Sequence, residues 1–215
     1  MTFERLLLQW AEIENAPQAP GVYAWYFRPH FTERDISQLT ESIAAPERSA
    51  AAPSIVAEFL NKHLFDYFTD APYDVAISGQ LKPRYAGKVF QTFHPSPDLV
   101  LRIASDPDRL RMLNGVFSEM IPDFSSPLYI GMSDDLHSRL VSHKIKISRM
   151  LESDDSELNG DGDTSDHSFA REVVRRGIPT IRLQVRLLVS EQLRNIAADP
   201  ENLLNRINYP ILGKN

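Results

Sequence analysis

Leu128-Tyr-Ile-Gly-Met-Ser-Asp-Asp-Leu-His-Ser-Arg-Leu-Val-Ser-His143 is the stretch that decides the fold. Its opening, Leu128 to Gly131, is short and apolar and starts after Pro127, which reads as a buried strand. Ser133 is a good helix cap, and Asp134 and Asp135 suit the positive end of a helix dipole. The pattern then predicts a helix to about Leu151, with Leu136, Leu140 and Ile147 facing inward. The four-residue gap between Arg139 and His143 puts both on one face of that helix, one turn apart.

Working outward, Gly21-Val-Tyr-Ala-Trp-Tyr-Phe27 is β-branched and aromatic, lies between Pro20 and Pro29, and reads as another strand. Residues 3–14, including Leu6-Leu-Leu-Gln-Trp10, read as an amphipathic helix. Residues 43–53 form an Ala/Pro-rich linker, and Ser54 to Phe68 has apolar residues at helical spacing. Tyr73–Ser78 and Arg84–Phe90 alternate like a hairpin, and residues 108–120 read as a helix. Beyond the quoted stretch, 152–166 is an acidic solvated loop. A helix over 168–176 then stops at Gly177, and Thr180–Val189 alternates as a strand. A last helix starts near Pro200 and ends before Tyr209-Pro210. No internal repeat is present.

A length of 215 residues suits one domain, or one domain with a substantial insertion, and an apolar content of 42% is enough for a packed core. No run of about eighteen apolar residues occurs, which argues against a membrane span. The N-terminal stretch lacks the layout of a signal peptide, so the expected location is cytoplasmic. With no cysteine, disulfides, thiolate metal sites and cysteine nucleophiles are excluded. The formal charge of −6 is unevenly spread: residues 152–166 hold seven acids and no base. Without that run, 23 Lys+Arg face 22 Asp+Glu, and bases cluster at Arg139/Lys144/Lys146/Arg149 and Arg171/Arg175/Arg176. A local basic face is what phosphate binding needs, and net charge does not forbid it.

Gly21-Val22-Tyr23, Tyr129-Ile130-Gly131, Arg139, His143 and Glu201, with Pro210 and Asn215 closing the chain, form an ordered set that resembles the GIY-YIG nuclease family. Each piece alone is common in strands and helices. Their conjunction with strand, strand, helix, strand and helix is more specific. The resemblance covers residues 20–27 and 127–215, about half the chain. It implies an α/β (α+β) fold with a small antiparallel sheet flanked by helices. Residues 1–27 and 127–215 would form the core, and 28–126 a mixed α/β insertion of about a hundred residues. Loop closure costs grow only logarithmically with length, so such an insertion is tolerable.

The resemblance also implies a chemistry, hydrolysis of nucleic-acid phosphodiesters, with DNA as the first substrate to test. Tyr23 would accept or orient the attacking water's proton, although a phenol with pKa near 10 is a poor base at neutral pH without help. Arg139 would donate a forked pair of hydrogen bonds to the scissile phosphate. Tyr129 and His143 would line the same pocket. Glu201 would be the oxygen ligand of Mg²⁺ (or Mn²⁺), which is often held by one or two carboxylates plus substrate phosphate. Gly21 and Gly131 would allow close strand approach. Gly131, Lys144, Lys88 and Asn215 are the further substrate-binding candidates, Lys88 because Lys82-Pro-Arg84-Tyr-Ala-Gly-Lys88 combines base and aromatic. Cutting both strands would call for a homodimer or two binding events.

Blander readings stand beside these. A strand tyrosine is usually a packing residue, a lone helix Arg or His is usually solvated, and Glu201 would favour its helix dipole in any case. Glu191 is the alternative acid. Tyr85-Ala-Gly87 is a rival second motif, but no Arg follows at the expected distance. Asp161-Gly-Asp163 with Glu172 partly mimics a calcium loop but lacks its glycine. No P-loop, dinucleotide or serine-hydrolase glycine pattern occurs. The alternative function is a non-catalytic protein of the same fold that binds nucleic acid or a protein partner.

Overall fold

In the computed structural model the chain runs through strands β1 (Glu4–Gln9) and β2 (Gly21–Phe27) and helices α1 (Glu33–Ala44) and α2 (Ala52–Leu60). Strands β3 (Tyr73–Ile77) and β4 (Tyr85–Val89) and helices α3 (Pro97–Ser105) and α4 (Arg109–Phe124) follow. Strand β5 (Tyr129–Ser133), helices α5 (Leu136–Glu152) and α6 (His167–Arg175), strand β6 (Leu183–Val189) and helix α7 (Ala198–Asn208) complete it. The structure describes residues 3–45, 50–69, 73–77, 79, 85–89, 93–152, 167–194, 196, 198–208 and 210–212.

The architecture is mixed α/β of the α+β kind. A four-stranded sheet has the order β1-β6-β2-β5, and β3 and β4 form a separate two-stranded sheet. All pairings are antiparallel. Contacts divide the chain into two compact units, residues 1–30 with 114–215, and residues 31–113, the boundary falling inside α4. Residues 114–126, which the sequence reading gives to the insertion, therefore group with the sheet. Among the described residues, no helix is long and apolar enough to cross a membrane.

Strand β2 sits between β6 and β5, which explains its apolar, aromatic sequence: it is buried along most of its length on both faces. Its register sets Tyr23 opposite Gly131 and Leu187, and Trp25 opposite Tyr129 and Val185. Side chains alternate across a strand, so Tyr23, Trp25 and Tyr129 share one face, and Val22, Ala24 and Ile130 share the other. Buried Leu136, Leu140, His143 and Ile147 of α5 and Phe169, Ala170 and Val173 of α6 belong to the core on the tyrosine side. On the opposite side, Val22, Ile130 and Leu193 cluster with Ala24, Met132 and Leu204.

The expected helix over residues 3–14 is replaced by β1 and a short 3-10 turn, Trp10–Asn15. Three consecutive leucines carry neither the helical nor the strand period, so tertiary pairing decides. Strand β6 offers a ladder along all of Glu4–Gln9, with Leu6 and Leu8 turned inward and Leu7 42% exposed. The backbone N–H of Gln9 donates to the Glu12 carboxylate, which starts the turn. The Asp135 carboxylate, not Ser133, accepts from the Ser138 backbone N–H at the third helical position of α5, and Ser133 Oγ instead accepts from the Asp135 N–H. Helix α6 ends where expected: Gly177 has φ +64°, with Gly177 N–H to Val174 O and Ile178 N–H to Val173 O.

In the second unit, α1, α2 and α3 bury Ile36, Leu39, Val56, Leu60, Val100 and Ile103. Neither α1 nor α3 is foreseen in the sequence reading. Both begin on a hydroxyl cap, Thr32 accepting from Asp35 N–H and Ser96 from Leu99 N–H. The β3–β4 ribbon is exposed where its side chains are described.

Candidate active site

Strand β2 and helix α5 of the first unit converge on the Tyr23 hydroxyl. Tyr23 projects from β2 and is 1% exposed, and His143, on the inner face of α5, is 2% exposed. Tyr23 Oη lies 2.9 Å from His143 Nε2, and Arg139 Nε donates to the same oxygen at 3.2 Å. The helical spacing of Arg139 and His143 thus delivers both groups to one atom. Arginine can only donate, so the phenol oxygen is an acceptor there. A buried phenol proton left without an acceptor is costly, so Tyr23 donates its own proton to Nε2 and the neutral imidazole carries its hydrogen on Nδ1.

Aromatic rings wall this group. Tyr129 lies 6.1 Å from Tyr23 and 5.9 Å from His143, centroid to centroid, and Phe169 lies 5.2 Å from Tyr129 and 5.6 Å from His143. Trp25 stacks on Phe169 at 5.4 Å and meets His143 edge-on. Such packing fixes the rotamers of the polar groups it surrounds. Gly131 is essential to the arrangement. A Cβ at this position would lie 2.5 Å from Tyr23 Oη and 2.9 Å from Tyr129 Cε1. Gly21 has the same role beside β6, where a Cβ would come within 2.5 Å of the Leu188 carbonyl oxygen. Gly131 therefore provides clearance for two rings.

Burial holds the Tyr23 phenol well above its ordinary pKa. The neighbouring Tyr129 adds to this, Arg139 opposes it through its charge and hydrogen bond, and Glu201 raises it further. Glu201, in the first turn of α7, is half-buried, and burial raises its carboxyl pKa while the Arg139 charge works against that. Tyr23, Arg139 and Glu201 are thus electrostatically linked. The alternative acid, Glu191, is exposed and ion-paired with Arg194 at 2.9 Å.

Lys144 Nζ is held by Glu14 at 2.9 Å. One residue beyond His143, its side chain leaves the helix about 100° away from it. Lys88 belongs to the β4 ribbon of the second unit, 4.0 Å from Asp74. Asn215, the bases Lys82 and Arg84, and the run 153–166 lie outside the described residues. Glu172, the last position of the calcium-loop pattern, is taken by Arg175 and Arg176. Two wall residues are absent from the sequence candidates, Trp25 and Phe169. Trp25 had a signal in its alternation with Tyr23 along β2, and Phe169 only a place in an amphipathic helix. Among the described residues no group of three or more His, Asp or Glu is arranged to hold a metal ion. No family model matches the chain, and neither does any curated protein or solved structure.

Proposed function

We propose that the chain is a divalent-metal-dependent endonuclease of the GIY-YIG type, acting on DNA phosphodiesters. The observation that carries this reading is the Tyr23 hydroxyl held at once by Arg139 and His143. A phenol whose pKa burial raises is a weak base on its own, but the hydrogen bond to His143 offers its proton an exit. As the attacking water forms a bond to phosphorus, its proton passes to Tyr23 Oη while the phenol proton passes to Nε2. The imidazole ends as imidazolium, the tyrosine ends neutral, and the leaving oxygen departs with the electrons of its bond to phosphorus. No full phenolate forms in the buried site. Arg139, positive and beside Tyr23, would stabilise charge growing on the phosphoryl oxygens.

Glu201 fits Mg²⁺ or Mn²⁺ in donor type. A single hard oxygen suits an ion that keeps most of its waters and shares its remaining contacts with substrate phosphate. The bound ion would supply Lewis-acid stabilisation of the phosphoryl charge. The raised carboxyl of Glu201 is a site whose ionised form gains from a cation.

The test is cleavage of supercoiled plasmid and single-stranded DNA with Mg²⁺ or Mn²⁺. Wild type is compared with Arg139→Ala, His143→Ala and Glu201→Ala, all checked for folding. Cleavage by wild type alone is the expected result. DNA binding with no cleavage under any metal would overturn the nuclease reading in favour of a binder.

A further inference from the structure

We propose that the groove on the sheet face opposite Tyr23 is a binding site for a small organic anion with an apolar body. The groove has a volume of about 560 Å³. Its floor is made by the β2 and β6 side chains that alternate away from the tyrosine face, Val22, Ala24 and Leu188, with Leu204 of α7 beside them. That volume lies within the roughly 300–1,000 Å³ of small-molecule sites.

Charge selects the ligand. Two arginines line the groove, Arg5 of β1 and Arg186 of β6. Arg186 donates to the Asp123 carboxylate and to the Pro122 carbonyl oxygen, so it is locally balanced. Arg5 is exposed and has no acidic or hydrogen-bonding partner among the described residues. Among the described residues, the polar end of the groove therefore carries one uncompensated positive charge over an apolar floor. A carboxylate or sulfonate on an aromatic or alkyl frame matches both halves, since the head meets Arg5 and the body covers the floor. A phosphodiester backbone would match the charge and leave the floor uncovered. Tyr23 is among the residues that line the groove, between Val22 and Ala24 on β2, whereas Arg139, His143 and Glu201 are not.

The probe is anilinonaphthalene sulfonate, titrated by fluorescence, with neutral phenylnaphthylamine as its uncharged counterpart. One sulfonate per chain is expected, with the neutral dye about tenfold weaker or more. Arg5→Glu should weaken the sulfonate by a similar factor, and Ile196→Asp, at the exposed rim, should also weaken it. Thermal melting checks that both surface variants fold. Leu204→Trp, which fills the groove from α7, should abolish the site. Equal binding of the two dyes, or binding indifferent to Arg5→Glu and Ile196→Asp, would overturn the proposal. So would a rise in mass by light scattering that displaces the dye, which would assign the face to a second copy of the chain. Cleavage is not measured in any of these experiments, so their failure leaves the nuclease reading untouched.

Discussion

Tyr23→Phe keeps the ring and its packing and removes only the oxygen that Arg139 and His143 share. If Tyr23 relays the proton, cleavage falls by roughly 10²–10⁴, the usual worth of positioned acid–base catalysis. Stability falls by about 1–3 kcal/mol, because Nε2 of a buried imidazole loses its donor. Plasmid cleavage and thermal melting read the two effects separately, and unchanged cleavage would remove Tyr23 from the mechanism. Gly131→Ala tests the same point from the neighbouring strand. Its Cβ would collide with a phenol that is buried and bonded, at a cost of about 1–3 kcal/mol, and cleavage should fall with it. Gly115→Ala is the contrast. It lies exposed inside α4 with nothing within 4 Å, and should gain about 0.5–1 kcal/mol through helix propensity. Of the site, the sequence shows what spacing encodes. The four-residue step from Arg139 to His143 delivers both to one oxygen, and glycines on facing strands mark the close approach. It does not show the direction of proton donation or the crowding by Phe169, because both depend on how α6 packs against distant strands.

At the scale of elements, α6 offers a pH-dependent test. Glu172 bonds Arg175 at 2.6 Å and Arg176 at 3.3 Å, and the bond to Arg175 is the main cause of its lowered carboxyl pKa. A lowered carboxylate stabilises the fold above its unfolded pKa, near 4.3, and that stability is lost as pH falls through the folded value. Glu172→Gln should therefore cost about 0.5–1 kcal/mol at neutral pH, allowing for partial exposure, and nothing below both pKa values. Denaturant melts at neutral and acid pH check this, and a cost that persists in acid would point to packing instead. Elements with strong local signals are legible in sequence. Strand β2 is bounded by prolines and filled with aromatics, and α6 is stopped by Gly177. Strand β1 is not legible, because Leu6-Leu-Leu8 suits a helix or a strand equally until β6 supplies its ladder. The cap of α5 is misread for a related reason: Ser133 and Asp135 both qualify chemically, and the end of β5 at Ser133 leaves Asp135 at the helix start.

For the molecule as a whole, the distribution of charge matters more than its sum. The acidic run 152–166 supplies seven of the 29 acids, and the rest of the chain is nearly balanced. Under the proposed function, a chain of net charge −6 would meet DNA against a repulsive average field, offset locally by the bases of α5 before that run and of α6 after it. Replacing the seven acids by Asn and Gln removes that opposing charge without touching Tyr23, Arg139, His143 or Glu201. The expected outcome is tighter duplex binding at low salt. The gain should shrink as ionic strength rises, since the screening length falls from about 30 Å at 0.01 M to about 8 Å at 0.15 M. Catalysis of bound DNA should not change, because the acids act on encounter rather than on the reacting phosphate. Anisotropy titrations of a labelled duplex over a range of salt separate this from a specific role. An affinity gain that survives high salt would mean that the run occupies the DNA site directly. Loss of single-turnover cleavage in the neutralised chain would mean that one of its carboxylates takes part in the proposed reaction.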